Sequence, residues 1–577
     1  MKILSLHCDY IKFKPVKPAL KGATLDKSEE KQVEVKEPLV IFTAIEKQDE
    51  TNKEILNEYI KNILDLQDKT KAERVVLYPY AHLSSSLSNP EFAKQLMIDA
   101  EKELKKKKIE VYRAPFGYYK EFELKCKGHP LAELSRTIGI EQVAKGKVQV
   151  TKTMKSKEET YDPKKLLAEI SKTKLDREKL KDNDHRILGQ QMDLFSFNEV
   201  APGMVFWHDK GWTIYQELVK FWREEHRKAG YNEISTPMIL DKKLWQISGH
   251  WEKYKENIFL TSYEGREFAV KPMNCPGGIL IYKSRPRSYK ELPWRVAELG
   301  IVHRQELSGV LAGLFRVIKF TQDDAHIYCT EETLEKEIAG IMNLVDLIYK
   351  KFNLPYHVEL STRPEKRIGD EKLWDKAESI LENVLKKQKI KYKLNPGDGA
   401  FYGPKIDFHI KDSLGRTWQC GTIQLDFAMP ERFELEYVDK GGKIKRPIML
   451  HRTVLGSFER FIGVLLEHLN GRLPTWLSPI QVRVISLTDR NTKACEKIIT
   501  ELKQAGVRVD SDLESGTVNE KVFKAEAMKI PYIICIGDKE EQSKTIAIRK
   551  RGEKKVKFGV KKEVFLEELL KEIKERR

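Results

Sequence analysis

The sequence predicts a protein of several domains with α/β and α+β architecture. Its 577 residues exceed what one hydrophobic core accommodates, because single cores stop growing at about 250 to 300 residues. Short apolar strands alternate with helical patterns in residues 1–140 and again in residues 476–577, which is typical of α/β domains. Residues 196–475 carry closely spaced strand patterns divided by loops, so we expect a separate strand-rich domain in the centre.

The N-terminal domain, residues 1–140, has its strand patterns in VEVKEPLVIFTAI, RVVLYPYAHLS and KIEVYRAPFGYYKEFELKCKG. In the last of these, Lys120 has the same parity as Phe122 and Leu124, so its ammonium group points to the apolar side of the strand. An ammonium group in apolar surroundings is costly unless it is paired. A functional lysine and a lysine that extends past the strand edge into solvent both agree with this pattern.

Residues 141–195 are dominated by Lys, Glu and Asp, which predicts a solvated, charged linker with some helix. The central domain, residues 196–475, begins with the amphipathic helix GWTIYQELVKFWREEHRKAG, followed by the strand YNEISTPMI. Pro237 in this strand should lie at a strand end or a sheet edge, because proline donates no backbone hydrogen bond.

The stretch FTQDDAHIYC predicts a strand with one polar face. Every second side chain of an extended chain points the same way, so Gln322, Asp324 and His326 share that face. A solvated edge strand and the wall of a binding site both explain this pattern.

If His326 binds a metal, the candidate partners are Cys275 in KPMNCPGG and His451 in PIMLHRTVLGS. Cys275 precedes Pro-Gly and should lie at a turn, and His451 follows an apolar strand pattern. One thiolate and two imidazoles suit zinc, and three protein ligands leave a position open for substrate. By spacing alone, three unrelated core residues remain the simpler interpretation.

The segment LGIVHRQELSGVLAGLFRVIKF predicts two strands joined by a Ser/Gly loop. Arg304 and Glu306 share one face of the first strand, and Arg316 stands early on the second. Arg460 lies in the apolar helix of LGSFERFIGVLLEHL, where a charge needs a partner. Guanidinium groups bind phosphate through paired hydrogen bonds, although surface ion pairs explain each arginine equally well when it is taken singly.

The formal net charge of +17 and the pI near 9.1 favour a polyanionic partner, and nucleic acid fits best. A soluble lysine-rich protein without such a partner has the same composition. The sequence has no apolar N-terminal signal region and no run of about 18 apolar residues, so we expect no membrane partner and a cytoplasmic location. The seven cysteines stand singly and predict no disulfide framework.

Together these motifs resemble the threonyl-tRNA synthetase family of class II aminoacyl-tRNA synthetases, in the form found in archaea, over nearly the whole chain. STPMI with the helix before it is similar to motif 1, HRQE through FRVIKF to motif 2, and GSFERFIG to motif 3. The resemblance implies a central antiparallel sheet that makes threonyl-adenylate from ATP and L-threonine and then transfers threonine to tRNA(Thr). It also implies Mg²⁺ with ATP, and a homodimer formed through the motif 1 helix and strand.

The resemblance assigns roles in the central domain to three groups of residues. Arg304 contacts the α-phosphate, Glu306 the adenine amino group, and Arg316 and Arg460 the outer phosphates. The polar residues of the nucleotide site and the threonine pocket are Gln419, Thr422, Gln322, Asp324, Tyr402, Lys405 and Gln424. One zinc ion per subunit is held by Cys275, His326 and His451, and the amino and hydroxyl groups of threonine complete its coordination.

Zinc coordination explains the rejection of valine, because an isostere without the hydroxyl leaves the metal and its polar pocket unsatisfied. Serine keeps both coordinating groups, and the missing methyl is worth only about 1 to 3 kcal/mol, so a proofreading site is expected. Residues 1–140 resemble the archaeal editing domain of this family, which shares the fold of D-aminoacyl-tRNA deacylases. The implied reaction is hydrolysis of seryl-tRNA(Thr), and the residues that match are His82, Tyr119, Lys120 and Glu133.

Residues 476–577 resemble the anticodon-binding domain of several class II synthetases. Between Lys544 and Lys562 nine basic residues stand against one acid, which suits an RNA backbone. Glu540 and Arg549 match family positions that contact anticodon bases, whereas Lys550 and Arg551 fit a solvated strand end equally well.

The resemblance therefore implies a zinc-containing threonine–tRNA ligase with hydrolytic editing. A relative that binds RNA but has lost catalysis is the non-enzymatic alternative, and the presence of all three arginines and all three metal ligands counts against it. A zinc hydrolase would need a general base beside the metal and leaves the basic C-terminal domain unexplained.

Overall fold

The computed structural model describes residues 1–20, 25, 29–84, 86–129, 132–138, 180–553 and 555–577. The chain divides into two compact units, Met1–Glu158 and Glu159–Arg577. Most of the predicted charged linker, residues 141–179, lies outside the described residues.

The first unit is a seven-stranded sheet with two helices. The long first strand pairs with β3 and β7 over its first half and with β2 and β6 over its second half. Both helices bury an apolar stripe that includes Tyr59, Ile63 and Met97. The elements are β1 (Lys2–Pro18), β2 (Val33–Lys36), β3 (Pro38–Ala44), α1 (Ile55–Thr70), β4 (Arg74–Pro79), α2 (Pro90–Lys106), β5 (Glu110–Arg113), β6 (Tyr118–Cys126) and β7 (Glu133–Thr137).

The centre of the second unit is an eight-stranded sheet in the order β10-β14-β15-β22-β19-β18-β16-β17. Its inner pairs are antiparallel, and only the outer pairs β10–β14 and β16–β17 are parallel. Its strands and those of the small sheets beside it are β8 (Phe195–Ser196), β9 (Phe206–Trp207), β10 (Asn232–Glu233), β11 (Ile239–Asp241), β12 (Leu260–Tyr263), β13 (Arg266–Val270), β14 (Trp294–His303), β15 (Lys319–Cys329), β16 (Tyr356–Ser361), β17 (Tyr392–Asn395), β18 (Lys405–Lys411), β19 (Thr417–Asp426), β20 (Tyr437–Val438), β21 (Ile444–Lys445) and β22 (Ile448–Thr453).

Helices of this region bury their apolar stripes against one face of the sheet. Ala325 and Ile327 of β15 belong to that core, together with Trp222, Val345 and Phe461 from three of the helices. The other face of β15 is therefore left to polar side chains. The helices are α3 (His185–Gln191), α4 (Asp209–Lys228), α5 (Lys242–Ile247), α6 (His250–Tyr254), α7 (Cys275–Lys283), α8 (Glu331–Lys351), α9 (Glu371–Lys387), α10 (Ala428–Arg432) and α11 (Phe458–His468).

The end of the segment that the composition assigns to the linker packs into this core. Leu188 of α3 is buried, as are Met192 and Leu194 just after it. All three apolar side chains face the core of the second unit. Residues 185–195 therefore contribute to this core, although charged residues surround them in the sequence.

The C-terminal part of the second unit has a five-stranded sheet in the order β24-β23-β25-β26-β27. The first three strands are parallel, as βαβ units require, and the last two are added antiparallel. The elements are β23 (Val482–Ser486), α12 (Thr492–Gln504), β24 (Val509–Asp512), α13 (Val518–Ala527), β25 (Tyr532–Ile536), α14 (Asp538–Ser543), β26 (Thr545–Lys550), β27 (Lys557–Lys561) and α15 (Lys562–Lys574).

These sheets confirm the predicted combination of α/β and α+β architecture. Among the described residues, every helix is too short or too polar to cross a membrane.

Candidate active site and metal centre

Four polar side chains form one row across the eight-stranded sheet. His326 on β15 lies opposite His451 on β22, His451 lies opposite Gln424 on β19, and Gln424 lies opposite Lys405 on β18. Residues directly opposite each other on neighbouring strands project from the same face. The two histidine rings are 4.9 Å apart between centroids, so strand register alone brings residues together that are far apart in the sequence.

Cys275 completes a buried group with these histidines. The sulfur of Cys275 and one ring nitrogen each of His326 and His451 lie within 4.8 Å of one another. The predicted turn at Cys275 is wrong, because Cys275 is the first residue of α7. Pro276 is tolerated next because the first turn of a helix needs no donor from it.

The donor set and its surroundings fit a zinc ion. The Nε2 atom of His326 is buried and has no hydrogen-bond partner among the described residues. Nε2 of His451 lies 2.7 Å from Oδ2 of Asp426, which leaves its other nitrogen for a metal, and such carboxylate contacts commonly orient histidine ligands. Burial raises the pKa of the Cys275 thiol and lowers the pKa of the His326 imidazole, and a divalent cation would offset the cost of the thiolate.

Asp324 lies beside the metal group and is held by Asn274. Nδ2 of Asn274 donates to Oδ2 of Asp324 at 3.0 Å, inside the protein. A Cβ atom at Gly300 would lie 2.0 Å from Nδ2 of Asn274, so glycine at that position makes room for this contact. Burial raises the pKa of Asp324, and an ammonium group bound beside it would favour the carboxylate form.

The threonine-pocket residues predicted from the resemblance occupy the same face. The Tyr402 hydroxyl donates to the side-chain carbonyl of Gln424, and its ring lies 5.0 Å from the His451 ring. Gln322 is half-buried on β15, opposite Gly300. The structure therefore places Asp324, Tyr402 and Gln424 beside the metal group, with Gln322 four residues from His326 along the same strand and Lys405 at the end of the row.

The buried carboxylate of Asp407 connects several of these residues. It accepts hydrogen bonds from Gln419 at 2.6 Å and from Thr422 at 3.0 Å, and Nζ of Lys405 lies 3.0 Å from it. Ser361 donates at 2.7 Å to Oδ2, the oxygen that Lys405 also contacts, whereas Gln419 and Thr422 donate to Oδ1. Sequence reasoning missed Asp407, although its parity with Lys405 on the same strand places it on the same face.

The charged residues of motif 2 lie just beyond the ends of two strands. Arg304 and Glu306 follow β14, which ends at His303, and Arg316 precedes β15, which begins at Lys319. The prediction that these residues stand within the two strands is therefore wrong, because the chain leaves the sheet on either side of the loop. Nη2 of Arg316 lies 2.8 Å from Oε2 of Glu306.

Arg304 and Arg460 are anchored by backbone carbonyl groups. Nε of Arg304 donates to Pro272 O at 3.1 Å. Nε of Arg460 donates to Phe315 O at 2.9 Å, and its Nη1 donates to Gln419 O at 3.2 Å. These contacts place Arg460 beside the segment that carries Arg316.

A separate cavity of about 460 Å³ lies in the first unit. Three of the predicted editing residues line it, namely His82, Tyr119 and Lys120. Burial lowers the pKa of Lys120 to about 8. Its Nζ donates to Pro115 O at 3.0 Å and to Tyr118 O at 2.9 Å, so backbone carbonyl groups hold the amine at the cavity wall.

The fourth predicted editing residue, Glu133, is not among the residues that line this cavity. It is exposed on β7 and lies opposite Leu6, whereas Lys120 lies opposite Pro15, farther along β1. The structure therefore brings three of the four residues together.

The two predicted anticodon residues lie in different settings. Arg549 lines a basic cavity of about 550 Å³ with Arg472, Lys529 and Arg551. Glu540 is the third residue of α14, where its side chain accepts from Gly537 N at 3.1 Å, and it is not among the residues that line that cavity.

Two further residues that hold the site were also missed from the sequence. Asn274 supports Asp324, and Asp426 orients His451. Asp426 has the parity of Gln424 and Thr422 on β19, which was the available signal, whereas Asn274 gave none beyond its position next to Cys275.

Three family models match this chain. They describe an archaea-specific editing domain of threonyl-tRNA synthetase for residues 1–138, a class II tRNA synthetase core domain for residues 258–469, and an anticodon-binding domain for residues 481–576. The antiparallel core sheet, with its arginines and its polar row, is thus that of a class II aminoacyl-tRNA synthetase.

Similar proteins indicate which family of class II synthetases this chain resembles. A threonine–tRNA ligase of Carboxydothermus hydrogenoformans is 53% identical over 69% of this chain and 63% of its own length, and one of Syntrophomonas wolfei is 50% identical over 72% and 65%. A crystal structure described as the RNA-binding domain of threonyl-tRNA synthetase from Cryptosporidium parvum is 40% identical, with a TM-score of 0.65, over 67% of this chain and 98% of that one. A threonyl-tRNA synthetase structure from Aeropyrum pernix is 30% identical, with a TM-score of 0.61, over 68% and 96%.

The chain belongs to the threonyl-tRNA synthetase family. It spans less than two thirds of the length of the curated relatives named above.

Proposed function

We propose that this protein is a threonine–tRNA ligase that activates threonine with ATP, transfers it to tRNA(Thr) and hydrolyses mischarged seryl-tRNA(Thr). The observation that carries this proposal is the buried group of Cys275, His326 and His451 at the end of a polar row on a class II sheet. The N-terminal and C-terminal matches to an editing domain and an anticodon-binding domain support the other two parts.

One zinc ion per subunit is expected in this group, where it would act as a Lewis acid toward the amino and hydroxyl groups of threonine. Cys275, His326 and His451 would hold the ion, and Asp426 orients His451. Asp324 accepts the substrate ammonium group, because its carboxylate lies beside the metal group and is already oriented by Asn274. Valine lacks the hydroxyl and leaves this pocket unsatisfied.

Adenylate formation requires charge stabilisation and positioning more than a covalent nucleophile. ATP would arrive with Mg²⁺, which neutralises part of the triphosphate charge. Arg304 contacts the α-phosphate as the threonine carboxylate displaces pyrophosphate, and Arg316 and Arg460 contact the outer phosphates. Glu306, now paired with Arg316, accepts from the adenine amino group. Gln419 and Thr422 line the nucleotide site and are oriented by their shared acceptor Asp407.

Editing is assigned to the cavity of the first unit. Serine satisfies the same coordinating groups as threonine, so the synthetic site alone leaves a residual error. The Lys120 amine positions water or the ester carbonyl of seryl-tRNA, and a tRNA ribose hydroxyl assists. His82 and Tyr119 border the same cavity, and Glu133 is proposed to act from outside it.

The remaining parts of the proposal concern partners. The basic C-terminal surface binds the tRNA, with Arg549 and Glu540 near the anticodon. Two copies associate through the motif 1 helix α4 and the strand after it. Because tRNA, ATP and free threonine are substrates found in the cytoplasm, a cytoplasmic location is part of this proposal.

The first test is threonine-dependent ATP–pyrophosphate exchange and charging of tRNA(Thr) transcript, with zinc content measured on the same samples. We expect exchange with threonine and serine but not with valine, and about one zinc ion per chain. The variant Cys275→Ala should lose zinc and exchange, whereas Cys495→Ala, which removes another buried free thiol, should keep both. Bound tRNA without exchange or charging would contradict the proposal and favour an RNA-binding relative.

A further inference from the structure

The short turn Gly313–Phe315 immediately precedes Arg316 and is contacted by residues of several other segments. A Cβ atom at Gly463 of α11 would lie 3.1 Å from Leu314 Cβ, so this helical glycine lets the turn pack directly onto α11. Arg460 holds the turn at Phe315 O with a hydrogen bond of 2.9 Å. The Phe315 ring packs on Trp418 at 4.1 Å between centroids.

His185, the first residue of α3, makes a further contact with the backbone of this turn. It is 1% exposed, and its Nε2 accepts from Leu314 N at 2.9 Å. Its Nδ1 lies 2.6 Å from Oε1 of Glu467, at the far end of α11. Because Nε2 must accept from an N–H group, the imidazole proton is on Nδ1 and is donated to Glu467.

Glu467 is itself fixed in its ionised form. Burial would raise its pKa, but hydrogen bonds from His185 and Arg416 hold the pKa of this carboxyl below its ordinary value. Arg416 also contacts Asp412 through Nε at 2.7 Å. Asp184, His185 and Glu467 together resemble a set of metal ligands, yet both nitrogens of His185 are already used in hydrogen bonds, so this group is a hydrogen-bond relay.

The fit between His185 and the turn is close. Gly313 has a φ of +53°, and a Cβ atom there would lie 2.2 Å from Nε2 of His185. Only glycine therefore allows the imidazole to reach the next N–H group. The conformation of the turn and the glycine at position 313 are therefore both required for this hydrogen bond.

We propose that His185, held in one tautomer by Glu467, is a positioning residue for the nucleotide site: it fixes the backbone of the Gly313–Phe315 turn and thereby the direction of Arg316. This inference rests on the proposed function, in which Arg316 contacts ATP. His185 itself touches no substrate and acts through the turn.

Loss of the imidazole acceptor leaves the buried Leu314 N–H without a hydrogen bond. The backbone of the turn can then adopt other conformations, in which the Arg316 side chain no longer points toward the nucleotide. We expect the variant His185→Phe to raise KM for ATP about tenfold, the factor that corresponds to one unsatisfied buried donor. KM for threonine should change less than about twofold, because the metal group is positioned by other strands. His185→Gln places a carbonyl oxygen within reach of Leu314 N and should restore most of the ATP affinity.

The test measures both KM values by pyrophosphate exchange, the Kd for ATP by equilibrium dialysis, and the thermal midpoint of the full-length protein. The matched control is His226→Phe, which removes a buried imidazole on α4 whose Nδ1 lies 2.6 Å from Trp222 O, one turn earlier in the same helix. His226→Phe should lower the thermal midpoint about as much as His185→Phe does, but it should not raise KM for ATP more than KM for threonine.

An unchanged KM for ATP in His185→Phe would overturn the inference, as would equal increases in both KM values or a lack of rescue by His185→Gln. If the wild type binds ATP but performs no exchange, the proposed function fails and the Kd values for ATP still decide the role of His185. If the wild type neither binds ATP nor performs exchange, both are overturned.

Discussion

Nε2 of His451 lies 2.7 Å from Oδ2 of Asp426, and both side chains are buried. Asp426 also uses Oδ1 to accept from Ala428 N at 2.8 Å and Met429 N at 2.9 Å, which begins α10. One carboxylate thus orients a metal ligand and caps a helix, so its two oxygens can be tested separately.

The variant Asp426→Asn keeps one capping oxygen but replaces the charged partner of His451. We expect zinc affinity to fall about 10- to 100-fold, the usual effect of losing such a partner. Competition with a chelator measures this. The control Asp370→Asn changes another helix-capping carboxylate, which accepts from Leu373 N at 2.8 Å far from the metal group along the chain. Equal zinc retention in both variants would contradict the role of Asp426.

Lys120→Ala should abolish hydrolysis of seryl-tRNA(Thr) while exchange with threonine stays at the wild-type rate. Lys125→Ala, an exposed lysine of the same strand, is the matched control and should edit normally. Accumulation of seryl-tRNA over time distinguishes the two. If Lys120→Ala still clears seryl-tRNA, editing by this cavity is excluded.

Editing should also depend on pH, because burial lowers the pKa of Lys120 to about 8. If the ammonium form positions the ester, the enzymatic rate falls as pH rises through 8, after subtraction of spontaneous hydrolysis. A rate that rises through the same range would instead assign the neutral amine as a base.

Glu459 on α11 is fully buried, and burial raises its pKa to about 7. The ordinary pKa of a glutamate side chain is 4.5, so between pH 4.5 and 7 the folded protein binds more protons than the unfolded chain. Stability therefore falls as pH rises through this window, by up to about 3 kcal/mol.

Glu459→Gln should flatten that decline, because the amide does not titrate and Oε1 can still accept from Thr321 N, as Oε2 does now at 2.9 Å. Thermal midpoints at pH 5.5 and 7.5 measure the effect. Glu365→Gln, an exposed position, should leave the wild-type pH dependence intact. A parallel decline in wild type and Glu459→Gln would refute the assignment.

Asp407→Asn should lower kcat/KM for threonine activation about tenfold. The amide cannot accept from Gln419, Thr422 and Ser361 while also neutralising Lys405, so part of the polar network is left unsatisfied. Asp398→Asn is the control, because Asp398 contacts the same lysine at 2.9 Å from the surface. Similar losses in both variants would place the effect on Lys405 alone.

Local patterns predicted much of the fold and the outline of the site. Strict alternation in FTQDDAHIYC placed Gln322, Asp324 and His326 on one face, and β15 has that arrangement with Ala325 and Ile327 in the core. The class II core and the two flanking domains followed from motif resemblance, and the family models confirm them.

Other features depend on pairing between distant segments, and the local sequence pattern alone does not reveal their role. The first strand, β1, contains several lysines and two prolines among its apolar residues, so its central place in the first sheet appears only once its four partner strands are known. Asp407 acquires its importance from register with β19, and Asn274 from the space left by Gly300.

The row from His326 to Lys405 has a consequence for how this family tolerates insertions. Side chains alternate with a period of two, so deleting one residue from β22 would turn His451 into the helix-covered core and present Leu450 or Arg452 to the metal group instead. Insertions and deletions should therefore be confined to the connecting loops. A change of one residue within these strands should abolish metal binding, whereas the same change in a loop should leave metal binding intact.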